Sequence, residues 1–310
     1  MAPGDRPGAS GSWSRLAART APFVVLMTTV LGATELTVDH VTVAGTDLKQ
    51  MQARLAAVGI ATEYGGPHSN GGTQMALASF PDGSYLELIA PQTNPDQKAL
   101  KAHYWSKQIL ADAGPTAWAV RAADVAAEVG RLRAAGITVS SPSRSGRKRP
   151  DGFALEWETA QIGEEPNGTF FPFLIRDFTP REARAFPKGQ PTAKDLTGVK
   201  LVVIAVRDLK ASMARYRQAF GLPPAVEQED PSFGARLASF AGTPVILATP
   251  NQGPSWLAQR IERFGEGPCA FVLGSQPGGV RGGASKTRWF GGAISWVDAE
   301  KLGWHLGFQE

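Results

Sequence analysis

VDHVTVAGTDL…VGI (Val38–Ile60), TAWAVRAADV…AGI (Thr116–Ile137) and KLVVIAVRDL…FGL (Lys200–Leu222) are three copies of one phrase. Each copy is a β-like run followed by Asp and an aliphatic residue, with Gly and then Ile or Leu 12 or 13 positions after the Asp. Self-similarity at this spacing marks a supersecondary unit that cannot bury its apolar face alone and must pack against another copy.

Around each phrase the pattern predicts the same element order. In the first copy Leu36 to Val43 reads as a strand and Asp47 as the cap of a helix running to Val58. Leu48, Met51 and Leu55 share one face of that helix and Gly59 stops it. Strands then follow at Ala61–Tyr64, Thr73–Phe80 and Tyr85–Ala90, giving βαβββ. The second copy predicts strands at Trp118–Arg121, Thr138–Ser140, Phe153–Thr159 and Phe171–Ile175, with a helix from Asp124 to Ala135. The third predicts Leu201–Val206, a helix from Asp208 to Phe220, and strands near Ala225, at Ala235–Phe240 and at Pro244–Ala248. A fourth start, Cys269–Leu273, has no amphipathic helix after it; Trp289–Val297 and Trp304–Phe308 supply its remaining strands.

The fold class expected is therefore α+β, with βαβββ modules paired into two open barrels and the fourth module degenerate. Residues 1–35 form a separate start, 36–178 the first domain, 179–198 a Pro-, Lys- and Arg-rich linker, and 199–310 the second domain. Within the start, Arg15 and Arg19 precede the apolar run Ala21–Ala33, the order of a secretory signal. This slightly favours a periplasmic or secreted protein; a cytoplasmic protein whose first segment packs on domain one is the alternative. The run is too short for a stable membrane span, which takes about 20 residues.

With 310 residues and 43% hydrophobic content the chain can give each domain a core. The net charge of +4 is spread along the chain without interleaved aromatics, which argues against nucleic-acid binding. The one dense run, Arg144 to Arg149, reads as a solvated loop, with anion binding as the alternative. Cys269 is the single cysteine, so an intrachain disulfide or a multi-cysteine zinc cage is excluded, and its apolar surroundings favour a buried thiol.

Strand alternation assigns faces. If the helix covers Val41 and Val43, then Val38, His40 and Thr42 face the concave side, joined there by Tyr85, Glu87 and Ile89, while Leu86 and Leu88 lie under the helix. One imidazole and one carboxylate thus meet in a cleft. Gly65 to Gly72 form a glycine-rich loop on its rim, bearing His68, which is either a site residue or an exposed turn histidine. Other inward candidates for substrate binding are Gln74, Arg121, Arg149 and Trp157. His103 and His305 read as packing or surface residues.

The segments DHVTVAGTDL (Asp39–Leu48), GGPHSNGGTQ (Gly65–Gln74), YLELIAP (Tyr85–Pro91), GRKRPDGFALEW (Gly146–Trp157) and PFLIRD (Pro172–Asp177) resemble the glyoxalase-like domain family of the vicinal oxygen chelate superfamily. The resemblance covers residues 36 to 180 well and the third unit more loosely. It implies paired βαβββ modules, with metal ligands drawn from the first and last strands of a module, positions held here by His40 and Glu87. His68 is the candidate third ligand, or a general base. Imidazole and carboxylate together suit Fe, Mn, Ni or Zn. In such a family the ion holds two adjacent substrate oxygens as a Lewis acid.

The sequence also departs from that pattern. Measured along the repeat, Ala117 and Leu201 stand where His40 does, and Phe173 and Ile246 where Glu87 does. Only the first copy can supply ligands, and catalytic metal sites usually take three from the protein. Two readings follow. One is a metal-dependent lyase, isomerase or dioxygenase acting on a small oxygenated metabolite. The other is a metal-free protein that binds or sequesters a small molecule, as antibiotic-resistance members do, with some of the eight tryptophans lining a pocket. A homodimer is consistent with exposed sheet edges.

Overall fold

A computed structural model describes residues 1, 2, 4, 35–276 and 283–310; the candidate signal segment falls outside them. In it the repeated Asp is a helix cap in all three copies. Asp47, Asp124 and Asp208 accept from the backbone N–H of Gln50, Ala127 and Ala211 at 3.0, 3.0 and 2.9 Å, a bond that satisfies an otherwise orphaned donor. The repeated Gly is the stop: Gly59, Gly136 and Gly221 adopt φ of +77°, +77° and +64°, where a Cβ is strained.

The first module is β1 (Val38–Ala44), α1 (Leu48–Ala57), β2 (Glu63–Pro67), β3 (Thr73–Ser79) and β4 (Tyr85–Pro91). Two short helices, α2 (Gln97–Ala102) and α3 (Ser106–Leu110), lead to the second module: β5 (Gly114–Arg121), α4 (Val125–Ala134), β6 (Ser143–Lys148), β7 (Ala154–Ala160) and β8 (Phe173–Asp177). After α5 (Arg181–Ala185) comes the third: β9 (Leu196–Ala205), α6 (Leu209–Phe220), β10 (Val226–Asp230), β11 (Ala235–Ser239) and β12 (Val245–Pro250). Helix α7 (Trp256–Phe264) precedes the last: β13 (Gly267–Ser275), β14 (Ser285–Trp289), β15 (Gly292–Trp296), α8 (Ala299–Leu302) and β16 (His305–Gln309). Among the described residues no helix stands between β13 and β14, where the other modules have theirs, so the fourth module is the degenerate one.

The strands form two 8-stranded sheets with one topology, β2-β3-β4-β1-β5-β8-β7-β6 and β10-β11-β12-β9-β13-β16-β15-β14. In each module the first strand runs parallel to the last, and the first strands of paired modules run antiparallel at the centre, β1 with β5 and β9 with β13. The result is an α+β protein of two nearly closed, barrel-like sheets with helices on their convex faces. One apolar core runs through both, from Val41, Leu86, Trp118 and Phe170 to Tyr216, Phe220, Phe271 and Leu306. Among the described residues no helix is long and apolar enough to cross a membrane.

Three local expectations change. The second strand of module two is not Thr138–Ser140, which keeps one isolated bridge from Val139 to Ile162, but Ser143–Lys148. The basic run read as a solvated loop is therefore largely an edge strand, β6, paired with β7. Polar edge strands lack the apolar alternation that identifies buried ones. The segment 179–198, expected as a linker, carries α5 and runs back along the first barrel, where Ser79 N–H donates to Thr192 Oγ1 at 2.8 Å.

Candidate functional site

A β-bulge shapes the site. Val38 pairs with Val120 and His40 with Ala119, so Asp39 is an extra residue on β1. The bulge shifts the alternation: Val38 joins the helix-side core with Val41, contrary to the expectation that it faces the cleft with His40. It also aims the Asp39 side chain at the ring that follows it, with Asp39 Oδ1 2.6 Å from His40 Nδ1. His40 and Thr42 do face inward, as do Tyr85, Glu87 and Ile89 of β4, while Leu86 and Leu88 pack under α1. Because His40 is in register with Tyr85 across the parallel pair, their rings stack at 4.8 Å with planes 1° apart.

Glu87 is the centre of the cluster. Its Oε2 accepts from Thr42 Oγ1 at 3.1 Å and lies 3.9 Å from His40 Nε2; its Oε1 lies 3.4 Å from His68 Nε2. His68 comes from the glycine-rich loop, and its Nδ1 is 2.8 Å from Thr73 Oγ1. Each imidazole thus has Nδ1 held by a neighbour and Nε2 turned to Glu87, an outer shell that fixes ring orientation. Burial alone would raise the Glu87 acid, but the hydrogen bond and charge of His68, the charge of His40 and the Thr42 hydrogen bond draw it down to about 2. It is a carboxylate throughout the neutral range.

Asp39 is anchored from below by α5. Arg184 Nη1 and Nη2 donate to Asp39 at 3.1 and 2.9 Å, Arg184 also pairs with Asp177, and Arg181 donates to Asp39 and to the Gly83 carbonyl. Arg184 Nη1 further donates to the Tyr85 hydroxyl oxygen at 2.5 Å. Burial alone would raise the Asp39 acid; Arg184, the hydrogen bond and charge of His40, and Arg181 hold it well below the usual carboxylate range. An ionised Asp39 can only accept, so His40 Nδ1 carries a proton and its Nε2 faces the cleft.

The cleft holds about 260 Å³ and is walled by both modules: Met75 and Ile89 from the first, Trp157, Phe173 and Ile175 from the second, and His103, Tyr104 and Trp105 from the α2–α3 segment. A wider cavity of about 680 Å³ adjoins it over β6 and shares His68, Ser145, Arg147 and Trp157 with it. Of the residues expected from sequence, His40, His68, Glu87 and Trp157 come together here. The other three do not line it. Gln74 Nε2 donates to the Pro91 carbonyl at 2.9 Å, Arg121 Nη2 to the Asp82 carbonyl at 3.1 Å, and Arg149 is engaged by the carbonyls of Ala183 and Pro187 at 3.0 and 2.6 Å and by Asp151.

Sequence reasoning missed Asp39, Arg147 and His103. Asp39 was visible only as part of a repeated phrase, because its direction depends on the bulge. Arg147 was hidden in a run read as loop. His103 belongs to the segment between modules, which the repeat does not measure; burial, and next the charge of His68, push it down to about 4, so it is neutral at pH 7.

Two imidazoles and a carboxylate are a donor set that suits a first-row divalent ion, and the outer shell is the kind that supports one. As placed, the carboxylate sits between the rings and pairs with both, and among the described residues no three His, Cys, Asp or Glu groups stand in a geometry that would hold an ion. The donor chemistry fits a metal, with His40, His68 and Glu87 as the residues that would hold it.

The matching interior of the second barrel is filled. Phe233 packs edge-on against Trp256 and Trp289 at 5.1 and 4.9 Å, and His305 stacks on Trp256 at 4.0 Å, with Ile246 and Leu201 in or against the same cluster. Those tryptophans pack into the place that the cleft has in the first barrel. Cys269 lies buried in this core, its thiol pushed up to about 12 by burial.

Paired βαβββ modules, with polar groups on the inward faces of the first and last strands of one module, are the arrangement that the resemblance to the vicinal oxygen chelate superfamily implies. The sequence pattern of the glyoxalase-like domain matches residues 38–202, just over half of the chain, and the chain belongs to that family. Two solved structures have the same overall fold. A hypothetical protein from Staphylococcus aureus superposes with TM-score 0.61 at 14% identity, covering 88% of this chain and 98% of that one. A mutant of 4-hydroxymandelate synthase from Streptomyces coelicolor superposes with TM-score 0.54 at 13% identity, covering 89% and 92%. No curated protein sequence matches the chain.

Proposed function

We infer that the cleft of the first barrel takes up a small oxygenated metabolite and transforms it by lyase, isomerase or dioxygenase chemistry, assisted by a divalent ion. The observation that supports this is the convergence of His40 Nε2 and His68 Nε2 on the two oxygens of Glu87 inside a walled cleft. His40, His68 and Glu87 would hold the ion, which when bound polarises substrate oxygen as a Lewis acid. The chain's own residues supply the rest. Asp39 keeps the His40 proton on Nδ1, Trp157 and Phe173 exclude water along one wall, and His68, on the rim, is able to take a proton at Nε2 if it does not serve as a ligand.

The pairing of Glu87 with both rings in place of an ion-sized gap favours a second reading, a metal-free binding protein that sequesters its ligand between Trp105, Trp157 and Phe173. Metal analysis of protein purified without chelator separates the two. The enzyme reading expects about one ion per chain, lost in both His40→Ala and Glu87→Ala. A chain that carries no metal and still binds a hydrophobic ligand tightly would sink it.

A further inference from the structure

Arg147 is 6% exposed and makes no ion pair among the described residues. Its Nη1 donates to the Gly65 carbonyl at 2.6 Å; its Nε and Nη2 have no protein acceptor there, and neither is sealed away from the cavities. Arg184, buried to 4%, is by contrast paired with Asp39 and Asp177. A buried cation with no counter-charge is costly, and an anionic ligand would supply the missing charge. The acidic side chain lining the cleft is Glu87, already engaged with Thr42, His40 and His68.

Position points the same way. Arg147 lies on the wall common to the inner cleft and the wider cavity; Arg144 and Lys148 of the same strand line the wider cavity alone, where Glu156 is the one acidic side chain among the described lining residues. The Nε and Nη2 edge is the planar fork that matches a carboxylate with two parallel hydrogen bonds. A divalent ion at the histidines would add positive charge to the cleft and so increase its demand for an anion.

We propose that the ligand of this cleft is a carboxylic acid, bound as its anion with the carboxylate on Arg147 and the oxygens to be transformed toward His40, His68 and Glu87. This rests on the reading of the cleft as a small-molecule site and narrows the ligand class from oxygenated metabolites to acids. Arg147 is then the residue that selects acids over neutral analogues.

The test uses phenyllactate and phenylpyruvate against their amides, titrated calorimetrically into the full chain. The acids are expected to bind at least about tenfold more tightly than the amides, the scale of a charge-assisted hydrogen bond. Arg147→Met abolishes that preference while the melting temperature of the ligand-free protein does not fall, since an unpaired buried charge has been removed. Arg147→Lys, which keeps a charge without the fork, retains part of the preference. Equal binding of acids and amides to the parent chain, or an acid preference intact in Arg147→Met, overturns the proposal. Metal content distinguishes its failure from that of the function. Arg147→Met keeps any ion that His40→Ala and Glu87→Ala lose, and a metal-free parent chain that still prefers acids would end the enzyme reading alone.

Discussion

At the scale of single residues the site is a chain of fixed hydrogen bonds running from α5 through Asp39 to His40, and from Thr42 and His68 to Glu87. Glu87 has a consequence for stability against acid. Its acid falls from 4.5 to about 2 on folding, so its ionised form stabilises the fold fully above pH 4.5, and the contribution is lost as pH falls toward 2. Glu87→Gln should therefore flatten that part of the acid limb, removing up to about 3 kcal/mol of pH-dependent stability. Urea unfolding at a series of pH values checks this; a variant as sensitive to acid as the parent would contradict it. His40 and Glu87 were legible in the sequence because each sits on a strand whose alternation fixes its face. Asp39 was not, since one inserted residue reverses that alternation and nothing in VDHV announces the insertion.

At the scale of elements, α5 acts as a latch. A five-residue helix has little intrinsic stability, and α5 is held by the ion pairs of Arg181 and Arg184 with Asp39 and Asp177. Removing one partner of a buried ion pair leaves the other charged and unsolvated, so Arg184→Ala should cost about 3–5 kcal/mol. It should also loosen His40, because Asp39 loses its main anchor. A chemical denaturation midpoint unchanged from the parent would show that the latch carries no load. The capped and Gly-stopped helices α1, α4 and α6 were readable from the repeated Asp and Gly, which are local signals. Helices α2, α3 and α5 were not, for they are short, lie outside the repeat and owe their place to tertiary contacts: Trp105 Nε1 donates to the Asn167 carbonyl at 2.7 Å, and Arg184 reaches Asp39. Strand β6 escaped for a related reason, as its pattern is polar throughout.

At the scale of the whole molecule, two barrels of identical topology have diverged in what fills them. The first keeps a polar cleft with His40, His68 and Glu87; the second packs Phe233, Trp256, Trp289, Trp296 and His305 into the equivalent space. The substitutions read along the repeat, Leu201 and Ile246 for His40 and Glu87, already pointed to this asymmetry, whereas the aromatic filling depends on side chains from α7, β14 and β15 that no single repeat position specifies. The second barrel still holds the first in place, with Arg260 of α7 donating to the Ala113 carbonyl at 2.8 Å and to that of Pro115. The central claim is that one site exists per chain and that these three side chains make it. Cobalt(II) titration of metal-stripped protein, followed by visible absorption, tests it most directly. The account predicts saturation at about one ion per chain and loss of the signal in His40→Ala, His68→Ala and Glu87→Ala alike. Saturation at two ions, no binding by the parent, or binding that survives any of the three substitutions would contradict it.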